Sequence, residues 1–455
     1  MVEVRKHTLD NGLRLLHYYD ATTQMVAVNV LYDVGARDET PGCTGLAHLF
    51  EHLMFGGSEH IPDFDTPLQM AGGESNAWTS DDVTNFYDIL PTHNAETAFW
   101  LESDRMNCLA LTQRSLDAQK SVVIEEFKQR CLNVPYGDVS HLVRAKAFRQ
   151  HSYRWPVIGE KVSDIEGVTI DTARDFFYSH YAPNNAILCI SGNVDFERAL
   201  ELAEKWFAHI PRRAITPRNI PTEPRQTEQR CIVHHADTPQ NMIVKAYHMC
   251  GRLDSDYYAS DIISDILANG NSARFFRNVL MQTDIFTDLD ASIWGSIDPG
   301  MLVVKGRLCP GASFDEANEV VDRELQRLVS EGVSQYEVDK FVNKFESKES
   351  FENVSYAEMA SKLCYHELIG SADDINTELS RYRALTAADI QRVAAGIFTF
   401  DKDTPLLRTV GLTEAGLRIG GAFAGVARLF YIETANVSLR QYGESDTDNA
   451  KICFE

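Results

Sequence analysis

Two hydrophobic periods recur along the chain, and they recur twice. Met25 to Tyr32 and Asn241 to Met249 are β-rich runs that predict strands. Each precedes a short glycine-led segment, Gly35-Ala36-Arg37-Asp38 and Gly251-Arg252-Leu253-Asp254, and then a helical stretch, the second over Tyr257 to Leu267. Asn85 to Leu90 and Gly300 to Lys305 match in character, and an amphipathic helix follows each, Asn94 to Met106 and Phe314 to Val329. A last pair of helices is predicted around Ser115 to Arg130 and Gln335 to Ser350. Between the halves, Ile210 to Arg230 carries Pro211, Pro217, Pro221, Pro224 and many charges but neither period, which predicts an extended linker. The expectation is therefore a weak internal repeat: residues 1–210 and 231–455 joined by a Pro-rich linker over 211–230, with 407–455 outside the pattern. Strands alternating with helices at hairpin-like spacing predict the α+β class rather than a doubly wound parallel sheet. No glycine-rich phosphate loop follows a strand, which argues against a nucleotide enzyme.

Composition narrows the function classes. The chain has 455 residues, 44% apolar and 24% charged, the mixture of a globular protein of more than one domain. A net charge of −23 argues against nucleic-acid binding, because nothing offsets phosphate repulsion. It would suit a basic partner or substrate, and it serves solubility. The most apolar stretch, Leu417 to Val437, is interrupted by Arg418, Arg428 and Glu433, so no membrane span is expected. Met1 to Asp20 holds no apolar core of a signal peptide, and the nine cysteines are scattered singly without a C-x-x-C pair. Both features predict a cytoplasmic protein with reduced thiols.

Chemistry concentrates at His48-Leu49-Phe50-Glu51-His52. Apolar residues at 46, 49, 50, 53 and 54 predict a helix over Thr44 to Phe55, with Thr44 as its cap and Gly56-Gly57 as its end. His48 and His52, four apart, then point the same way, as two ligands of one tetrahedral zinc must. Glu51 lies beside them, where it can take a proton from a metal-activated water. A third ligand is required. On the downstream helix, Leu116, Val123 and Phe127 mark the apolar face. Glu126 lies near that face and Glu125 toward the polar side, so Glu126 is the better candidate and Glu125 the alternative.

These residues, with Glu126 in Val122-Val123-Ile124-Glu125-Glu126, resemble the inverted-motif zinc peptidases, the pitrilysin family that includes insulin-degrading enzyme and the mitochondrial processing peptidase. Gly35 to Glu39, Ala71 to Thr79 and Tyr181 to Asn185 also match, and Trp155-Pro156 with Gly159 resembles a structural loop of the family. The likeness fades beyond Leu406, and the last 49 residues do not read as the family's closing strand. The resemblance implies two homologous α/β sandwiches, each an antiparallel-rich sheet with helices on one face, forming half of a clamshell. It implies Zn2+ on His48, His52 and Glu126, Glu51 as general base, and Gly73, Asn76, Ala77 and Thr79 on a strand that binds an extended peptide by main-chain pairing.

Two departures stand out. Gln119 occupies the place of a supporting glutamate, where it can still hydrogen-bond but adds no charge. Leu280 and Thr287 occupy the places of an Arg/Tyr pair that completes the family's active site, and neither can stabilise an oxyanion as Arg and Tyr would. The resulting expectation is a zinc endopeptidase acting on peptides or unfolded polypeptides, as a homodimer or as a heterodimer with a related chain that supplies the pair. The competing expectations are a non-catalytic assembly subunit of the same fold and a metallohydrolase of other substrates. The remaining histidines, including His60, His93, His234 and His235, read as solvated or structural.

Overall fold

The computed structural model describes residues 1–398 apart from Gln229 and Ser296, together with the strand 428–432. Its first half builds a sheet from β1 (Arg5–Thr8), β2 (Arg14–Tyr19), β3 (Met25–Tyr32), β4 (Glu74–Thr79), β5 (Thr84–Pro91) and β6 (Ala186–Gly192). The strand order is β1-β2-β6-β3-β5-β4, antiparallel throughout except where β2 runs parallel to β6. The second half holds β7 (Ile232–Ala236), β8 (Met242–His248), β9 (Phe286–Trp294) and β10 (Met301–Leu308), with β11 (Arg428–Ile432) pairing antiparallel to β7. Its central sheet, β8-β10-β9, repeats the order of β3-β5-β4. The repeat extends to detail. A side chain on Gly35 would strike the backbone carbonyl of Asp81, and one on Gly251 that of Ile297, so both turns need glycine for close approach to the following hairpin.

The run Met25–Tyr32 is apolar on both sides because both faces of its sheet are covered. Val26, Val28, Val30 and Tyr32 face the core formed with the motif helix Leu46–Phe55 and the helix Ala95–Asn107. Ala27 and Leu31 face Met359, Ala360, Leu363 and Cys364 of the helix Tyr356–Ile369, which comes from the other half of the chain. In return, Val139, Val143 and Ala147 of the helix Val139–Ala147 join the second core, beside β8, β10 and the helices Tyr257–Ala268 and Phe314–Glu331. Each half thus contributes one helix to the other's core. Apolar periodicity shows that such a helix has a buried face but not which sheet it meets.

The Pro-rich segment is an extended strap tied down by charged side chains. Arg213 donates to the carbonyls of Tyr181, Met106 and Asn107. Arg218 pairs with Asp33 and Asp38, and Glu223 accepts from the backbone of Arg149, Gln150 and His151. The two hairpins also meet. Arg37 bridges Asp82 at 3.1 Å and Asp298 at 3.0 Å, while the Tyr153 hydroxyl donates to Asp82 and accepts from the Asp298 amide. Residues 407–455 lie outside the described residues apart from Arg428–Ile432, which is a strand. No helix among the described residues is long and apolar enough to cross a membrane.

Candidate metal centre

The motif helix spans Leu46–Phe55, and its start corrects the expected cap. Thr44 does not cap it: the Thr44 hydroxyl donates to Asp164 at 2.7 Å and accepts from the Glu160 amide. The cap is the buried carboxylate of Glu39, which accepts from the amides of Gly45 and Ala47, both at 2.8 Å. A carboxylate there also complements the positive end of the helix dipole. Burial raises the Glu39 carboxyl well above its usual range, against the pull of those amides. Glu39→Ala would leave two buried amides unpaired, an expected loss of about 1–3 kcal/mol. Urea unfolding midpoints measure it, and an unshifted midpoint would show that water replaces the cap. At the other end Gly56 is the C-cap, its amide bonding to the Leu53 carbonyl.

His48 and His52 stand edge to face, ring centroids 4.9 Å apart. The opposing helix spans Gln113–Phe127 and runs on into a π-helical turn, Lys128–Leu132, an irregularity common at functional sites. From it Glu126 Oε2 lies 3.5 Å from His48 Nε2 and 3.3 Å from His52 Nε2. Glu125 turns away, half-exposed, to Lys128. The donor atoms of His48, His52 and Glu126 all lie within 4.8 Å of one another. Bond lengths near 2.0–2.1 Å in a tetrahedral zinc site separate N and O ligands by about 3.3 Å, so the donor chemistry and both Glu126–histidine separations fit zinc. Burial depresses the His48 imidazole against the pull of Glu126, keeping it neutral and its lone pair available.

Arg130, which sequence patterning passed over, holds the second oxygen of Glu126 at 3.0 Å. Its spacing of four from Glu126 was the available signal. Gln119 makes no hydrogen bond to either histidine; its amide lies near Gly56 at the end of the motif helix.

Strand β4 forms the edge of the first sheet, with the motif helix packed against it. Thr79 sits at its end, and its hydroxyl donates to Glu51 Oε2. Thr79 thus reaches the candidate base directly. Burial raises the Glu51 carboxyl above its usual value, and the Thr79 bond offsets part of the rise. Asn76 and Ala77 lie mid-strand, paired with Tyr87 and Phe86 on β5. Gly73 precedes the strand, where any side chain would collide with Leu68 and Leu90. Its glycine therefore has a packing reason. In the second half, Leu280 packs against the core and the Thr287 hydroxyl bonds to the Arg307 carbonyl. The nearby Arg274 is held by Glu337, and Arg277 is exposed.

A half-clamshell of two α+β units with an inverted His-x-x-Glu-His helix defines a class, that of metallopeptidase-like chains. The family model described as insulinase (peptidase family M16) matches residues 14–161, and that described as the peptidase M16 inactive domain matches residues 167–345. The chain belongs to peptidase family M16. It is similar to the zinc protease PqqE of Helicobacter pylori, 27% identical over 407 residues that cover 87% of this chain and 90% of the relative. Its fold matches the crystal structure of a protease from Helicobacter pylori at TM-score 0.82 and 25% identity, over 90% of this chain and 99% of that one. It also matches the periplasmic protease PqqL of Escherichia coli at TM-score 0.71 and 19% identity, covering 89% of this chain but 47% of PqqL. The chain thus spans about half the length of PqqL but nearly the whole of the Helicobacter pylori protease.

Proposed function

We propose that the protein is a zinc-dependent endopeptidase for peptides or unfolded polypeptides, completed by a partner chain. The observation that carries this reading is the convergence of His48, His52 and Glu126 beside a Thr79-anchored Glu51, at the edge of an open sheet. The metal, held by His48, His52 and Glu126, would supply Lewis-acid activation of water. Glu51 would take the proton from that water and pass it to the leaving amine. Arg130 would keep Glu126 oriented, and Gln119 would support the motif helix rather than the ligands. Strand β4, through Asn76, Ala77 and Thr79, would pair with the extended backbone of the substrate, giving loose sequence preference.

Leu280 and Thr287 also favour a second reading, a non-catalytic assembly subunit, because Leu280 has no donor and the Thr287 hydroxyl already donates to the Arg307 carbonyl. One experiment separates the two. Zinc content and cleavage of an unstructured peptide are measured for the chain alone and mixed with a related chain that carries an Arg/Tyr pair. Zinc should fall by one equivalent in Glu126→Gln. Addition of the partner should raise turnover about 10²–10³-fold, the usual worth of an oxyanion donor. Full turnover by the chain alone would remove the need for a partner. A zinc-loaded chain inert in every pairing would leave the assembly reading.

A further inference from the structure

We infer that a second divalent metal site lies just beyond the motif helix, built from His60, Asp104 and Cys108. Three donor atoms converge there from two segments of the chain. His60 Nδ1 is 2.8 Å from Asp104 Oδ1, and Cys108 Sγ is 3.4 Å from His60 Nδ1 and 3.5 Å from Asp104 Oδ1. Zinc bonds of about 2.0–2.1 Å to N and O and about 2.3 Å to S, at tetrahedral angles, separate N from O by about 3.3 Å and S from either by about 3.6 Å. Both sulfur distances already stand near that value. Only the N–O pair, drawn together by its own hydrogen bond, would open by about half an ångström.

The backbone holds the donors in place. Asp104 lies on the helix Ala95–Asn107, and Cys108, four residues on, caps it with its amide on the Asp104 carbonyl at 2.8 Å. His60 belongs to the loop after Gly57, which is pinned beside Cys108 by the bond from the Glu59 amide to the Cys108 carbonyl, 2.8 Å, and by the Ser58–Leu109 bridge. The Ser58 hydroxyl takes the other oxygen of Asp104, the kind of outer contact that orients a carboxylate ligand. The His60 side chain is 69% exposed, so ions reach the cluster from solvent. One thiolate and one carboxylate balance a divalent ion, and the mixture of imidazole, carboxylate and thiolate suits zinc or a metal of similar softness. Without a metal, burial and the Asp104 carboxylate push the Cys108 thiol up to about 12, so the metal would have to displace its proton on binding. A metal here would tie the loop that ends the motif helix to the end of the helix Ala95–Asn107.

Cobalt(II) titration of the full chain under reducing conditions tests the site. Thiolate-to-cobalt charge transfer absorbs in the near ultraviolet, and His48, His52 and Glu126 contain no sulfur to produce it. The wild type should bind two equivalents, with the band rising for one of them. Cys108→Ser should bind one equivalent without the band. Glu126→Gln should bind one equivalent with it. His60→Ala, a change on the surface, should weaken the band-forming site by at least about 100-fold, since losing even an outer-shell partner costs 10–100-fold. A wild type without the band, or a band that persists in Cys108→Ser, overturns the proposal. Because the band reports the sulfur site alone, failure of this inference leaves the peptidase reading untouched, and the reverse also holds.

Discussion

Glu51→Gln should lower zinc-dependent peptide hydrolysis by about 10²–10⁴-fold while leaving metal content unchanged. Glutamine keeps the size of the side chain and can still meet the Thr79 hydroxyl, so the edge of β4 and the motif helix should stay in place. What disappears is a carboxylate able to take a proton and return it. The metal should remain because Glu51 is not among the three converging donors. Initial rates on an unstructured peptide, in whichever pairing of chains is active, measure the effect beside zinc analysis of the same samples. A rate within tenfold of wild type would remove Glu51 from the chemistry. Lost zinc would instead mark Glu51 as part of the binding set.

Arg105→Leu should cost about 3–5 kcal/mol, the largest stability effect expected of a single substitution here. Arg105 is fully buried below the first sheet, with Nε 2.8 Å from Glu102 Oε2 and its guanidinium against the rings of Phe64 and Phe86. Beside the pair lies Asp88 of β5, also fully buried, whose carboxyl burial pushes well above its usual range. Removing Arg105 strands the Glu102 charge in a medium that cannot solvate it. Removing both partners, Arg105→Leu with Glu102→Leu, should recover much of the loss, because an apolar pair needs no compensation. Urea midpoints of the two variants decide the matter. A single variant within 1 kcal/mol of wild type, or a double variant worse than the single, would contradict this account. The triad bears on the proposed site because Asp88 pairs directly with Ser75 of β4, the strand that carries Thr79.

What the sequence made legible follows from the range of each interaction. His48 and His52 share a helical face because their spacing is local, and the apolar face of the second helix was enough to turn Glu126 rather than Glu125 toward them. The repeated pattern matched the runs that form β3 and β5 with those that form β8 and β10, but it held no strand order; that order, β3-β5-β4 and β8-β10-β9, depends on pairing between distant segments. Glu39 was missed as the cap because it acts from a loop, seven residues before Leu46, while Thr44 stands where a local cap is usual. The partners of the helices Val139–Ala147 and Tyr356–Ile369 were also out of reach. Each meets a sheet formed by residues far along the chain, and periodicity carries no address.

That exchange of helices has a consequence for how the chain holds together. Severing the strap between Ile210 and Arg230 would not release two self-sufficient domains. The N-terminal fragment would expose Leu16, Ala27, Leu31 and Ile187, and the C-terminal fragment would lack the layer that Val139, Val143 and Ala147 supply. Each fragment carries the missing layer of the other. Such a cut chain should stay together as a reassembled complex, and the intact chain should melt as one cooperative unit whose two sheets stand or fall together.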